Sequence, residues 1–195
     1  MRRSLLPLTA LSAALLLAAC GRDGGTPPSA AAGPAASAPA AADAYALAAT
    51  GHGFTTGPMM SAHTVYVFFD TTCPHCAQLW QNLQPLAGSV KVVWMPIGLL
   101  RPQSLTQGVA ILSAPDPAAA MQQNEQSVLN NGGGITAMGT PDEAVVAKVK
   151  ANTEIFKRLD ADSVPLIIFR HSGSGQAGQH SGAVSAEQLR QMVGL

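Results

Sequence analysis

The chain has 195 residues, a formal net charge of zero and only 11% charged residues, while 47% of its residues are hydrophobic. Without an excess of basic residues, the composition gives no support for nucleic-acid binding or for a polybasic membrane contact. The partners of the protein must therefore be inferred from local motifs.

The first twenty residues have the order of parts that is typical of an export signal. Arg2 and Arg3 precede an apolar run that ends at Cys20 and is shorter than the about 20 residues of a membrane-spanning helix. Its last four residues, LAAC, resemble the lipobox of bacterial lipoproteins. That resemblance implies a signal peptide over residues 1–19 and an acylated Cys20. Ordinary cleavage nearby, which would leave Cys20 as a free thiol, stays open.

Residues 20–44 consist almost entirely of Ala, Gly, Pro and Ser. Such a segment cannot bury enough apolar surface to offset the entropy lost on ordering, so it is predicted to be a flexible tether. Residues 45–195 are numerous enough for one domain with its own hydrophobic core.

The predicted elements of this domain alternate between strands and helices. Buried strands are predicted at residues 63–69, 90–97 and 164–169, with a weaker returning strand after the last of them. A helix follows the CPHC motif, three more are predicted at 104–112, 117–129 and 141–159, and a last one begins at Ser185. The order is that of an α/β fold. It can bring the start of the first helix beside the start of the 164–169 strand.

Two cysteines spaced C-x-x-C, Cys73 and Cys76, stand where the first strand leads into the first helix. A cysteine at a helix N-terminus faces unpaired N–H groups and the positive end of the helix dipole, which stabilise its thiolate. Pro74 suits the first helical turn because it has no N–H to leave unpaired. His75 can donate a hydrogen bond to the Cys73 thiolate, which would make the disulfide more oxidising. A solvated His75 without that role stays open.

The predicted chemistry is thiol–disulfide exchange, in which Cys73 attacks a disulfide and Cys76 resolves the mixed disulfide. A soft-metal site for copper or zinc is an alternative, but there is no second C-x-x-C and no H-x-x-x-H. Met59 and Met60 could bind copper, although packing is the commoner role of a methionine pair. A structural Cys73–Cys76 bridge or a chaperone lipoprotein are further alternatives. No metal and no cofactor are expected.

The stretch VYVFFDTTCPHCAQLW, the KVVWMPIGLL strand and SVPLIIF together resemble the thioredoxin-fold disulfide oxidoreductases of the bacterial periplasm. The resemblance is greatest to the catalytic domain of DsbG and DsbC proteins. It implies a thioredoxin fold with a helical insertion between its βαβ and ββα parts. It further implies that Cys73 is the nucleophile, Cys76 the resolving cysteine and Pro165 a cis-proline beside them. The backbone of Val164 would then be free to pair with an extended substrate.

Two departures from that family affect the expected activity. The dimerisation domain that precedes the catalytic domain in DsbG and DsbC proteins has no counterpart here, which makes a monomer the expectation. The CPHC motif, with Val164 before the proline, is similar to the oxidising DsbA pattern. We therefore expect a periplasmic oxidoreductase, held at a membrane by Cys20 and favouring oxidation over reduction or isomerisation. Its expected partners are exported proteins with thiols or disulfides and a membrane protein that recharges the CPHC pair.

Overall fold

The computed structural model describes residues 40–195, which form one five-stranded sheet and six α-helices. The strands are β1 (Phe54–Thr56), β2 (Thr64–Asp70), β3 (Lys91–Ile97), β4 (Leu166–Arg170) and β5 (Ala177–Ser181). The helices are α1 (Ala41–Ala48), α2 (Pro74–Leu83), α3 (Pro102–Ser113), α4 (Pro117–Leu129), α5 (Glu143–Arg158) and α6 (Ala186–Val193).

The sheet has the strand order β1-β3-β2-β4-β5. β2 and β3 run parallel at its centre, and β4 pairs antiparallel with β2 on one side. β1 and β5 form the edges, each antiparallel to its neighbour. The central strands are rich in Val, Phe and Ile because both of their faces are covered. The α/β class and the helical insertion between the βαβ and ββα parts are thus confirmed.

The predicted elements agree with the structure to within about two residues. The predicted helix at 117–129 coincides with α4, and the strands predicted at 63–69 and 90–97 are β2 and β3. The strand predicted at 164–169 begins two residues later, at Leu166. Ser185 caps the last helix, since its hydroxyl accepts a hydrogen bond from the Gln188 N–H at 3.1 Å.

The folded part of the chain begins earlier than the boundary expected at Tyr45. α1 starts at Ala41 and packs against β4 and β5, with Ala44 and Ala48 fully buried. The Arg170 guanidinium lies 4.4 Å from the centre of the Tyr45 ring. The sequence prediction counted large apolar side chains, whereas small alanines pack here by letting the helix approach the sheet closely. Within residues 40–195, no helix is both long and apolar enough to span a membrane.

The short strand β1 was missed by the sequence prediction because three residues give no measurable alternation. β1 is held in place by contacts with the two tryptophans that it covers. Phe54 packs on Trp80, with ring centres 6.2 Å apart, and Trp80 meets Trp94 edge to face at 5.0 Å. The Trp94 indole N–H donates to the Thr56 hydroxyl at 2.9 Å, and that of Trp80 donates to Gln122 of α4. The indole pair therefore joins α2, β1 and the insertion.

Buried amides attach the helical insertion to the loop that precedes the cysteines. The Asn124 side chain donates to the Thr71 carbonyl at 2.8 Å and accepts from the Ile135 N–H at 2.9 Å. The Gln107 side chain accepts from the Thr71 hydroxyl at 2.9 Å and donates to the Ile135 carbonyl at 2.8 Å. Two helices and one loop thus fix the backbone at Thr71.

Gly134 passes close to these amides with a φ of +95°, and a Cβ there would lie 2.7 Å from the Asn124 amide oxygen. Gly133 also has a positive φ, +77°, but a Cβ on it would meet no atom within 4 Å. We expect Gly134→Ala to lower the free energy of unfolding by about 3 kcal/mol and Gly133→Ala by about 1 kcal/mol, measured by urea denaturation. Equal losses would show that the amides do not constrain Gly134.

Candidate active site

The C-x-x-C motif lies where the central strand β2 ends and α2 begins. Cys73 occupies the N-cap position with extended backbone angles, φ −88° and ψ 116°, and Pro74 is the first residue of the helix. The Cys73 N–H donates to the Asp70 carbonyl at 3.1 Å, and the Cys73 carbonyl accepts from the Cys76 N–H at 3.0 Å. The side chain of Cys73 therefore lies beside the unpaired N–H groups of the first helical turn.

The Cys73 side chain is mostly in its thiolate form at neutral pH. It is a free thiol and retains 4% exposure. A hydrogen bond from the Cys76 side chain is the largest influence, and it lowers the pKa of Cys73 to about 6 although burial acts in the opposite direction. Backbone hydrogen bonds from Cys76 and His75 and the charge of His75 lower the pKa of Cys73 further.

Cys76 is the protonated partner of the pair. It has no exposed surface, and this burial raises its pKa well above the ordinary thiol value. The hydrogen bond to Cys73 and the negative charge there raise the pKa of Cys76 further. The two sulfurs are thus opposite in character: one is ionised and at the surface edge, and the other is protonated and enclosed.

His75 acts on Cys73 through its backbone N–H and its charge, and not through the expected hydrogen bond from its ring. Its side chain is exposed, and among the hydrogen bonds within residues 40–195 its ring takes part in none. The backbone N–H of His75 supports the Cys73 thiolate instead, and the charge of the ring makes the smallest contribution to lowering the pKa of Cys73. The expected ring hydrogen bond is therefore absent from this part of the chain.

The start of β4 lies against the cysteines, in the position that the element order predicted. The Val164–Pro165 peptide bond is cis. The Cys73 sulfur lies 3.6 Å from the Val164 carbonyl oxygen, to which it can donate only in its protonated form, so the sulfur and the Val164 backbone are adjacent. Val164 lies beyond Phe68–Leu166, the last pair of the β2–β4 ladder. Its backbone is thus outside the sheet and close to the reactive sulfur.

Asp70 connects the cysteine loop to α3. Its carboxylate is fully buried and accepts five hydrogen bonds. The donors are the N–H and hydroxyl of Thr72, the N–H groups of Leu99 and Leu100, and the hydroxyl of Ser104. Each bond to a carboxylate is short, 2.7 to 3.0 Å, as charge-assisted bonds are.

Glu125 is a buried carboxyl group that the sequence prediction missed. It has no exposed surface, and one of its oxygens, Oε2, has no hydrogen-bond partner within the described residues. Burial raises the pKa of Glu125 to about 9, and the negative charges of Cys73 and Asp70 contribute to this rise. A signal was available, because Met121, Asn124, Glu125 and Val128 form one buried helical stripe.

The described residues do not bring together a set of metal ligands. Residues 40–195 contain no group of three or more His, Cys, Asp or Glu side chains that could hold a metal ion. Met59 and Met60 are 65% and 96% exposed, so the packing role considered for them is wrong. Cys20, the predicted signal peptide and the predicted tether up to residue 39 lie outside the described residues.

The pKa of Cys73 can be tested through its reactivity. Because only the thiolate is alkylated, the rate with iodoacetamide should rise with pH to a midpoint near 6 in the reduced protein. Cys76→Ala removes the hydrogen bond with the largest effect and should move the midpoint upward. Cys76→Ser keeps an O–H donor and should move it less. A midpoint that is unchanged in Cys76→Ala would show that the Cys76 thiol does not stabilise the Cys73 thiolate.

Comparison with known proteins finds one matching family model and two curated relatives. Residues 60–194 match the family model described as thioredoxin-like domain. Two curated relatives are named thiol:disulfide interchange protein DsbG. The one from Pseudomonas aeruginosa is 27% identical over 132 residues, 67% of this chain and 50% of the relative. The one from Escherichia coli is 30% identical over 137 residues, 68% of this chain and 53% of the relative. The chain spans about half the length of these relatives.

Solved structures with the same fold include the catalytic domain of Proteus mirabilis ScsC. It superposes with a TM-score of 0.59 at 19% identity and covers 79% of this chain and 95% of its own. A periplasmic thioredoxin-like protein from Salmonella enterica serovar Typhimurium has a TM-score of 0.60 at 19% identity, covering 77% and 94%. From the match over residues 60–194, we conclude that the chain belongs to the thioredoxin-like domain family and is homologous to the DsbG proteins.

Proposed function

We propose that the protein is a thiol:disulfide oxidoreductase that exchanges disulfides with exported proteins through Cys73 and Cys76. The observation that carries this proposal is the contrast between the two sulfurs. A thiol whose pKa is lowered to about 6 stands next to a fully buried thiol whose pKa is raised. Two cysteines that only form a structural bridge would need no such difference in pKa, whereas a nucleophilic and a resolving cysteine do.

In the proposed reaction of the reduced form, the Cys73 thiolate attacks one sulfur of a substrate disulfide. The substrate S–S bond breaks, one substrate thiolate leaves and takes up a proton, and Cys73 becomes part of a mixed disulfide. Cys76 then loses its proton and attacks the Cys73 sulfur. The second substrate sulfur leaves as a thiolate, the Cys73–Cys76 disulfide forms, and the substrate has gained two electrons. The oxidised form runs the same steps in reverse.

The proton that leaves Cys76 requires a nearby acceptor. Glu125 is the buried carboxyl group whose charge raises the pKa of Cys76. Formation of the mixed disulfide removes the negative charge of Cys73, which contributes to the raised pKa of Glu125. Loss of that charge lowers the pKa of Glu125 from its value of about 9 and so enlarges the ionised fraction, which is small at neutral pH. This ionised fraction of Glu125 is the form that can accept the proton of Cys76.

Substrate binding is proposed at the backbone of Val164. The Val164 carbonyl is within 3.6 Å of the Cys73 sulfur and lies outside the β2–β4 ladder. An extended peptide whose cysteine is joined to Cys73 can therefore pair with this backbone as an added strand. Such pairing uses main-chain atoms and accepts many sequences. Pro74, exposed at the first helical turn, would be covered by the same peptide.

The proposed location is the periplasm, with the domain held at a membrane through acylated Cys20, and the proposed direction is oxidation. A stabilised Cys73 thiolate favours the reduced pair, and a disulfide whose reduced form is stabilised is a stronger oxidant. A membrane partner would recharge the pair by accepting its electrons.

The redox state in cells tests this direction. When cells are quenched with acid and free thiols are labelled with a mass-shifting reagent, Cys73 and Cys76 should be found mainly as a disulfide. A mainly reduced pair would mean a reductase or isomerase supplied with electrons, and the proposed direction would be wrong.

Variants of the two cysteines test the reaction itself. Cys73→Ser should abolish exchange with a disulfide substrate, by at least about a hundredfold, because a serine hydroxyl is not ionised near pH 7. In the Cys76→Ser variant, Cys73 should still attack the substrate, but the mixed disulfide should accumulate. It can be detected by mass spectrometry under non-reducing conditions. The proposal fails if Cys73→Ser keeps full activity.

A further inference from the structure

A groove of about 320 Å³ opens beside Cys73 and takes no part in the thiol chemistry described above. Three segments around the cysteine loop line this groove, here called the Arg101 groove: Thr72 and Pro74, Arg101 and Gln103, and Val128, Asn131 and Gly133. Thr72 and Pro74 are the residues immediately before and after Cys73. The groove therefore adjoins the reactive cysteine.

The walls of the Arg101 groove are fixed by hydrogen bonds from behind. The Thr72 N–H and hydroxyl bind the Asp70 carboxylate at 2.9 and 2.7 Å. The Arg101 N–H donates to the Ser104 hydroxyl at 3.2 Å. The Gly133 carbonyl accepts from the Gln107 amide at 3.0 Å. A groove held in this way is already formed before a ligand arrives, which reduces the ordering cost of binding.

The charge of the groove is positive. Arg101 is the one charged residue among those that line it, and its side chain is exposed. Within residues 40–195 the only ion pair joins Lys157 and Glu154, so Arg101 has no carboxylate partner there. Two acidic groups lie behind the walls. Asp70 uses its carboxylate for five hydrogen bonds, and Glu125, with a pKa of about 9, is protonated at neutral pH.

The position of the groove determines which part of a substrate can reach it. A substrate cysteine joined to the Cys73 sulfur lies beside Val164, because that sulfur contacts the Val164 carbonyl. The groove begins at the neighbours of Cys73. An extended chain advances about 3.3 Å per residue, so a side chain one to three residues from the substrate cysteine can enter the groove.

We propose that the Arg101 groove selects substrates that carry an Asp or Glu side chain within three residues of the reactive cysteine. The Arg101 guanidinium offers a fork of donors that matches a carboxylate, and the side-chain amides of Gln103 and Asn131 offer further N–H donors. This inference rests on the proposed exchange function and adds the substrate class. Pairing with the Val164 backbone accepts any sequence, whereas the groove supplies a preference.

The test compares three disulfide-linked peptides that differ at one position, two residues from the cysteine, where they carry Asp, Asn or Lys. Second-order rate constants for exchange are measured with the reduced full chain. The wild-type protein should react with the Asp peptide about threefold faster than with the Asn peptide, and more slowly still with the Lys peptide. The preference should weaken at high salt, since the contact is partly open to solvent.

Two variants distinguish the effect of the groove on peptide preference from the effect of the overall charge of the protein. Arg101→Glu should reverse the order of the Asp and Lys peptides. Lys91→Glu makes the same change in net charge at the far end of the central strands, where Lys91 pairs with Thr64. This second variant should keep the order of the wild-type protein. If both variants shift the preference equally, long-range charge explains it and the groove proposal is overturned.

A small uncharged disulfide, 2-hydroxyethyl disulfide, distinguishes the two possible failures. If the wild-type protein reduces it but reacts equally with the three peptides, the groove proposal is wrong while the exchange function stands. If Cys73 reacts with no disulfide at all, the proposed function fails and the groove proposal fails with it. Dividing each peptide rate by the rate of the same variant with the uncharged disulfide removes any effect of the substitution on the thiol chemistry itself.

Discussion

The buried carboxylate of Asp70 is the interaction on which the arrangement around the cysteines depends. It stands at the last position of the central strand β2 and accepts hydrogen bonds from the cysteine loop, from the loop after β3 and from the start of α3. A buried charge is tolerated only when it is fully hydrogen-bonded, so these three segments must keep their relative positions. The fixed start of α2 and the fixed walls of the Arg101 groove both follow from this requirement.

The two cysteines behave differently because they are one helical turn apart at the start of α2. Cys73, at the N-cap, meets N–H groups and the edge of the protein, whereas Cys76 is enclosed by the strand and the insertion. The hydrogen bond between them then favours the same division of charge, because the protonated sulfur donates and the ionised one accepts. Burial alone would raise both pKa values. The position of Cys73 at the helix N-terminus makes its pKa lower than that of Cys76.

The sequence was sufficient for the parts of the fold that have strong periodicity or strict motifs. The central strands, α4 and the position of the cysteines at the start of α2 were predicted because apolar runs and proline positions mark them. α1 was missed because its buried residues are alanines, and β1 because three residues carry no pattern. The five donors of Asp70 come from three separate segments of the chain and could not be assigned to it without the fold.

Glu125 gives the stability of the protein a pH dependence that differs between its two redox states. Because the pKa of Glu125 is raised from 4.5 to about 9, the folded chain holds a proton that the unfolded chain releases, and stability falls as pH rises through that interval. In the reduced form, Cys73 has the opposite effect: its pKa is lowered from 9.0 to about 6, so stability rises between those values and offsets part of the loss. The disulfide form has no thiol to provide this compensation. The disulfide form also lacks the negative charge of Cys73, which is one of the causes that raise the pKa of Glu125. The carboxyl group of the insertion therefore links the pH dependence of folding to the redox state of the pair.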